Sequence, residues 1–600
     1  MHATRLRRVL LFAALLAALS VSALFVYVPR THRAVTLMGD SAELVTAAAN
    51  WGVPHPPGYP LYTLIAHSLT RRLPYGLPFN VHLTSVFFHV LTVASVGAFI
   101  ALVTDSLFGA FIGATTLALG RTFFLGSLYA EVFPLNDFFL ACLLLCALPI
   151  AATQEKAGAR WYLLATVLGL SLAHHHMIVL ALPALAVLVG APLWRDARSR
   201  PRAAIGPALC AVVPPLVFYA LIAKAAARHP IPSWGDVHDL GSLWRLATRQ
   251  DYGGITHASR HVVDGQLLER LDILLAGTAQ SFGIAGFALC FVGAVWGLRR
   301  SVRICLALLT AILCTGPLFA SLNAFDIHSE YRIAFFQRFT SMCHVPFAIL
   351  VGFGAAQCAE WCGASPRIRR SMSHAALVIV TALTLAPLVD NIMSIDASED
   401  RRAVDYVHDL VDSAPDGALV LLKSDMASQA AIYACGVEAR CGSRIVLTPG
   451  QLWMPWKRDE LSRRYPQLSL PPVDVPSAAR WLVENNVQAR PVWIHPELVD
   501  EVVRGELSVL PSLLLFRVYP NEAALRSDLY RFRAALDDLV QGRTCEACRY
   551  VPYGRRITGA DAQLVRIYDT AMLAHATAAA QLHWPAEAEA LRRWKRRALR

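Results

Sequence analysis

The sequence predicts a polytopic α-helical membrane protein that ends in a soluble α/β and helical region. Three observations predict it. Of the 600 residues, 55% are hydrophobic and only 16% are charged, and the mean hydropathy is +0.44; an ordinary soluble domain carries about 25% charged residues. Apolar runs close to the roughly 20 residues that a bilayer crossing needs recur from residue 9 to residue 390. From residue 391 onward the chain turns polar, and short apolar runs alternate with helix-like stretches. The net charge of +12 does not point to nucleic acid. Lys and Arg gather in short loops between the apolar runs, where membrane orientation places them.

Eleven spans are expected, at 9–28, 80–103, 107–126, 132–152, 161–174, 177–194, 203–224, 271–297, 304–322, 338–360 and 373–390. Arg5, Arg7 and Arg8 precede the first run, and no small-residue cleavage site follows before Pro29, so that run reads as a retained span. The pair at 161–194 reads as two tilted spans or as one long broken one. With the N-terminus in the cytoplasm, the inside loops hold Lys156 and Arg160; Arg195, Arg198, Arg200 and Arg202; Arg299, Arg300 and Arg303; and Arg367, Arg369 and Arg370. The outside loops are then 29–79, 127–131, 225–270 and 323–337, longer and richer in aromatic, acidic and histidine residues. An odd number of spans puts the C-terminal region outside as well. The expected localisation is a bacterial inner membrane, with loop 29–79 and the C-terminal domain in the periplasm.

Three regions follow: a transmembrane module over 1–390, an α/β domain over 391–520 and a helical region over 521–600. Within the second, strands are expected at 418–422, 444–447, 491–494 and 513–518, with helices between them. No internal repeat with a convincing period is visible. Of the 13 cysteines, those within spans, such as Cys142 and Cys290, read as small apolar fillers. Cys435 with Cys441, and Cys545 with Cys548, lie in the outside domain, where an oxidising compartment favours structural disulfides. The Cys545-x-x-Cys548 spacing also suits a redox or zinc half-site.

The chemistry is expected in the loop after the first span. Gly39-Asp40-Ser41-Ala42-Glu43 puts two carboxylates just before an apolar helix. One reading is a capping box, with Glu43 three residues past the cap. The other is catalytic: a capping aspartate is held in a fixed direction, which suits a general base. His55-Pro56-Pro57-Gly58-Tyr59-Pro60 is the most specific stretch. Its prolines fix φ and stiffen the turn, and His55 and Tyr59 offer hydrogen-bonding groups to an anion; the plain alternative is a structural turn entering a helix. Glu131 lies at a span edge, either an interfacial helix end or a functional acid. His174, His175 and His176 fall where an apolar stretch breaks. Neighbours on a helix point about 100° apart, so three in a row do not face one metal; hydrogen bonding to a phosphate or carboxylate suits one of them better. Trp234, in Ser233-Trp-Gly-Asp236, is an interface aromatic or a platform for a sugar or peptide, as is Tyr252 in Arg249-Gln-Asp-Tyr252. Arg332 and Arg338 flank the tenth span, as snorkelling side chains or as a phosphate clamp.

Taken in order, Gly39-Asp40-Ser41-x-Glu43, His55-Pro-Pro-Gly-Tyr-Pro-Leu-Tyr62, Ala130-Glu131-Val132, His174-His-His176, Ser233-Trp-Gly-Asp236 and Gln337-Arg-Phe339 resemble a family catalogued as domain of unknown function 2723. That family includes the transmembrane O-mannosyltransferases of animals. The resemblance covers about residues 36–450. It departs at Val53-Pro54 before the histidine and at Ser233, where Asn is expected. It implies a GT-C-like membrane glycosyltransferase that takes a sugar from a polyprenyl-phosphate carrier, with an acid of the first outside loop as base. By position that acid is Asp40, with Glu43 as understudy, and Glu131 occupies the second acidic position near the acceptor. His55, Tyr59, the histidine run, Trp234, Arg332 and Arg338 are the candidates for holding donor and acceptor. The resemblance further implies mannose as sugar and protein Ser or Thr as acceptor, with a glycan acceptor also open. No cofactor is expected beyond the donor, with a divalent metal left open, and nucleic acid is not an expected partner. The rival readings are a transporter or flippase of a lipid-linked substrate, and a binding protein whose soluble domain is the working part. Acids in a loop rather than at mid-bilayer, and the missing inverted repeat, weigh against the transporter.

Overall fold

The computed structural model describes residues 2–153, 158–254, 266–322, 327–364, 370–545 and 559–598. Its contacts divide the chain into two units, one of residues 1–33, 55–224 and 247–399, the other of residues 34–54, 225–246 and 400–600. The second unit thus gathers two inserted segments from the apolar part of the sequence.

Among the described residues, the regular structure of the first unit is all helical. Nine helices among the described residues are long and apolar enough to cross a membrane, and two shorter apolar helices, Leu107–Leu119 and Ala159–Leu172, complete the eleven expected positions. Their burial sorts them. The most apolar stretch of Glu330–Gly363 is 94% buried, while those of Leu6–Arg30, Pro201–Ala226 and Met372–Ser394 are 11%, 6% and 11% buried. Helices that are greasy all round yet bare of protein on most sides have lipid as their compatible solvent. The protein is therefore an integral membrane protein. Leu267–Arg300 and Ser341–Ala364 approach most closely where Gly293 faces Leu350 and Gly354 faces Leu289; a Cβ at either glycine would overlap the facing carbonyl oxygen. Small residues at such crossings are the usual device of membrane bundles. Lys156, Arg367 and Arg369 of the expected inside loops lie outside the described residues.

The second unit centres on a five-stranded sheet of order β2-β1-β3-β5-β4. The strands are β1 (Leu419–Leu421), β2 (Ile445–Leu447), β3 (Val492–Ile494), β4 (Ser508–Ser512) and β5 (Leu515–Tyr519). β1 runs parallel to β2 and β3, and β5 is antiparallel to β3 and β4. The sequence leads one to expect a single strand over 513–518. Instead Leu513 takes a positive φ of 52° and turns β4 back on β5. Pro511 hides β4 from the eye, because proline is tolerated only on an edge strand, and β4 is the edge. Leu419, Leu421, Ile445, Leu447, Val492, Ile494 and Val518 pack one sheet face into the main core. Phe532 and Ala578, on Glu522–Val540 and Gly559–Gln581, pack on the other face against Leu510 and Tyr519. Cys435 and Cys441 form the expected disulfide. Cys548 lies outside the described residues, so the second expected pair does too.

Candidate functional site

The sequence candidates fall into two groups, one in each unit. In the second unit, Asp40 stands at the N-cap of Ser41–Asn50. Its side chain makes no capping hydrogen bond, contrary to the local capping-box pattern. Glu43 explains part of the difference. It is buried, its Oε1 accepts the Trp234 indole N–H at 2.7 Å, and its backbone N–H donates to Gln429 Oε1 at 2.8 Å. A buried carboxylate is costly unless hydrogen-bonded; the Trp234 indole donates to this one, and Gln429 accepts from the Glu43 backbone. Trp234 leans against Trp456, with ring centroids 5.6 Å apart, and Arg463 pairs with Asp236. The two inserted segments are stitched together: Val53 N–H donates to the Pro232 carbonyl at 2.8 Å and Trp234 N–H to the Val53 carbonyl at 3.0 Å. Asn50 Nδ2 adds a bond to the Ile231 carbonyl at 2.8 Å. Gly52 permits this approach, since a Cβ there would sit 2.7 Å from the Pro232 oxygen.

In the first unit the proline-rich turn and the histidine run meet. The Pro56–Pro57 peptide is cis, and Tyr59 has a φ of 42°, rare for an aromatic residue. Its side chain is gripped twice. Its hydroxyl lies 2.7 Å from His55 Nε2, and its ring stacks on His175 at 5.4 Å. Leu61 N–H donates to the Ala173 carbonyl at 3.3 Å, tying the turn to the run. The three histidines have separate tasks. His174 Nε2 lies 2.8 Å from the Val132 carbonyl, so Nε2 carries its proton. His175 Nδ1 accepts the Met177 N–H at 3.0 Å, which leaves Nε2 as the protonated nitrogen of the neutral ring. Burial, then the neighbouring His176, His174, Arg249 and His55, hold the His175 pKa well below the ordinary histidine value. His176 Nε2 accepts from Arg249 Nη1 at 3.2 Å.

Arg249 is a site residue that the sequence does not single out. Its guanidinium carbon lies 5.3 Å from the Tyr252 ring centroid, and its buried Nε–H has no hydrogen-bond partner among the described residues. Tyr252 in turn stands edge-on to His55 at 6.4 Å. The signal available was an arginine two positions before an acid and three before an aromatic in an outside loop, which is weak.

Glu131 and Arg338 prove to be partners, joined in a buried ion pair. Arg338 also lies over Phe335, 3.8 Å from its centroid. Glu131 Oε1 accepts the N–H of Val132 at 2.8 Å. Arg332 sits half-buried on Glu330–Gln337, six residues before Arg338, with its backbone N–H bonded to Ser329 Oγ at 3.2 Å. A further buried pair carries no sequence signal: His89 Nε2 lies 3.3 Å from Asp137 Oδ2 and His89 Nδ1 2.7 Å from Ser127 Oγ. No group of three or more His, Cys, Asp or Glu side chains suited to a metal occurs among the described residues.

The fold is that of a polytopic, GT-C-like membrane protein with a C-terminal sheet-and-helix region. A family model, the Protein O-mannosyl-transferase TMEM260 N-terminal domain, matches residues 40–196, the stretch from Asp40 through the histidine run. Protein O-mannosyl-transferase TMEM260 of Mus musculus is 26% identical over 455 residues, which cover 72% of this chain and 62% of that protein. Its counterpart in Dictyostelium discoideum is 22% identical over 442 residues, covering 66% and 52%. The chain thus spans between half and two thirds of the length of these relatives. Among solved structures, ArnT from Cupriavidus metallidurans bound to undecaprenyl phosphate superposes with a TM-score of 0.51 at 11% identity, over 85% of this chain and 97% of that one. The apo form of that protein gives 0.51 at 12%. At such identity the likeness speaks for the fold alone.

Proposed function

We propose that this protein is a membrane glycosyltransferase that moves a sugar, mannose in this reading, from a polyprenyl-phosphate carrier to a hydroxyl of an acceptor, a protein Ser or Thr. The observation that carries the proposal is the place of Asp40: it stands at the N-cap of Ser41–Asn50, in the loop after the first span, and its side chain makes no capping hydrogen bond to that helix. The likeness to two protein O-mannosyltransferases supports the sugar and acceptor classes, and the undecaprenyl phosphate bound by a protein of the same fold suggests the donor class to test.

In this mechanism Asp40 takes the proton of the acceptor hydroxyl as its oxygen attacks the anomeric carbon. The new C–O bond forms while the bond from the anomeric carbon to the phosphate oxygen breaks, and the polyprenyl phosphate departs with the electron pair. A single displacement inverts the anomeric centre. The leaving phosphate gathers negative charge and needs preorganised donors. Arg249 and the Nε2–H of neutral His175 are assigned that task, with His55 and Tyr59 holding His175 and Tyr252 in place. Glu131 and Arg338 neutralise each other and act as positioning residues. Glu43 is fixed by Trp234 and orients the helix that begins after Asp40. The reading places the N-terminus in the cytoplasm, with residues 29–79 and the C-terminal domain in the periplasm of a bacterial inner membrane. No cofactor beyond the donor is assigned.

The test uses the purified full chain in nanodiscs with radiolabelled mannosyl polyprenyl phosphate and a Ser/Thr-rich peptide. Label should pass to the peptide with consumption of the carrier, and Asp40→Asn should abolish transfer while leaving the thermal transition in place. Movement of intact carrier-linked sugar across the bilayer without cleavage would sink the proposal in favour of a flippase.

A further inference from the structure

The sheet of the second unit has two faces, sorted by the period-2 alternation of its strands. Val492, Ile494, Phe516 and Val518 face the main core. Trp493, Arg517 and Tyr519 face the other way, and the register sets Trp493 opposite Arg517 and Arg517 opposite Leu510. Among the described residues, helices cover this second face incompletely. A cavity of about 500 Å³ remains, with walls from the sheet, from Glu522–Val540 and from the end of Arg402–Asp412. That volume falls within the roughly 300–1,000 Å³ typical of small-molecule sites.

Two features of the walls point to a ligand. Trp493 is 4% exposed, and its indole N–H has no hydrogen-bond partner among the described residues. Buried indole N–H groups ordinarily find an acceptor, so an unmet donor on a cavity-lining residue is a group to which a ligand can supply one. The charges of the walls are also balanced. Among the described residues, three arginines and three aspartates line the cavity. Arg517 pairs with Asp528, Arg531 lies 3.4 Å from Asp528, and Arg543 lies 3.4 Å from Asp538. Cations already matched by carboxylates are a poor trap for a phosphate. They suit a neutral ligand rich in hydroxyls, which donates to carboxylate oxygens and accepts from guanidinium N–H groups. The aromatic surface is present as well: the Arg517 guanidinium lies 5.4 Å from the Trp493 ring and 4.7 Å from the Tyr519 ring.

We infer that this cavity is a saccharide-binding site for one or two neutral sugar rings, with the Trp493 indole N–H as a donor to a ring hydroxyl and the Arg517–Asp528 pair as a two-sided hydroxyl clamp. It is a binding site, with no bond made or broken there, and it stands whether or not the chain transfers sugar.

The experiment is saturation-transfer NMR on the full chain in nanodiscs, free of sugar-based detergent. The probes are mannose, glucose, N-acetylglucosamine and mannobiose, with acetate and inorganic phosphate as anionic comparators. At least one saccharide should bind, and Trp493→Phe, which keeps the ring and removes the donor, should weaken it about tenfold. Ala535→Trp should abolish binding by filling the mouth; Ala535 is exposed and lines the cavity, so this variant keeps the test decisive even where Trp493→Phe fails to fold. The inference is overturned if no saccharide binds up to roughly 100 mM. It also falls if only the anions bind, or if saccharide binding persists at full strength in a folded Trp493→Phe or in Ala535→Trp.

Discussion

Glu131 and His174 grip the two ends of one residue: Glu131 Oε1 accepts the Val132 N–H and His174 Nε2 donates to the Val132 carbonyl, each at 2.8 Å. The histidine run and the Glu131–Arg338 ion pair are thereby locked to the same backbone. Removing one member of a buried pair strands the other charge and typically costs about 3–5 kcal/mol. Glu131→Gln should therefore lower the unfolding temperature sharply. His174→Ala, which leaves a buried carbonyl unmet, should cost about 1–3 kcal/mol. Because both act on Val132, their double variant should show a coupling of about 0.5–3 kcal/mol in denaturant unfolding. Effects that add to within about 0.5 kcal/mol would show that the shared residue does not link them.

Asp40 and Glu43 should respond differently to the same change. Asparagine is as good an N-cap as aspartate and keeps its shape, so Asp40→Asn should leave the fold intact while removing transfer. Glu43→Gln keeps an acceptor for the Trp234 N–H, so it should retain most of the stability and a reduced rate. Trp234→Phe removes the donor to a buried carboxylate and should destabilise by about 1–3 kcal/mol. Calorimetry alongside a transfer assay separates the three. Full transfer in Asp40→Asn, with Glu43→Gln dead, would exchange their roles.

Much of the framework is legible in sequence because it is local. Eleven apolar stretches sit where the hydropathy runs place them, and three of the strands fall on runs such as 418–422 and 491–494. The pairings that give the candidate residues their state are not local. Trp234 lies 191 positions from Glu43 and Gln429 lies 386 away, and no spacing rule spans such distances. The capping-box pattern misleads because its score is local, whereas the Glu43 carboxylate is buried and taken by the indole of Trp234. Arg338 pairs with Glu131, 207 positions earlier, a partner that no local pattern announces. Arg249 carries no motif at all; only the fold brings it against His176.

Arg249 should govern the affinity for the carrier. A charge-assisted hydrogen bond contributes about 1.5–3 kcal/mol, or roughly ten- to a hundredfold in affinity. Arg249→Met should raise the KM for polyprenyl-phosphate sugar by that factor with a smaller effect on kcat. Arg249→Lys keeps the charge but loses the planar fork, so it should recover only part of the loss. Steady-state kinetics with the donor varied reads both. An unchanged donor KM in Arg249→Met would move the phosphate-binding role elsewhere.

His495 should make the C-terminal domain acid-sensitive. Its Nδ1 accepts the Glu497 N–H at 3.4 Å, and burial, followed by the charge of Lys423, lowers its pKa to about 4 from an ordinary 6.5. The unfolded chain takes up a proton as the pH falls below about 6.5, while the folded chain resists until about 4, so protons bind U in preference to N across that window. The stabilisation is complete above pH 6.5 and is lost progressively toward pH 4, up to about 3 kcal/mol from this one residue. His575, buried and held to about 4 by the same cause, runs in the same direction. His495→Asn keeps a cap acceptor and cannot titrate. The wild-type Tm should therefore fall between pH 7 and pH 4.5, and the variant should fall less steeply. Parallel slopes would mean that His495 takes up its proton in the folded protein, which requires water to reach a ring that the structure keeps dry.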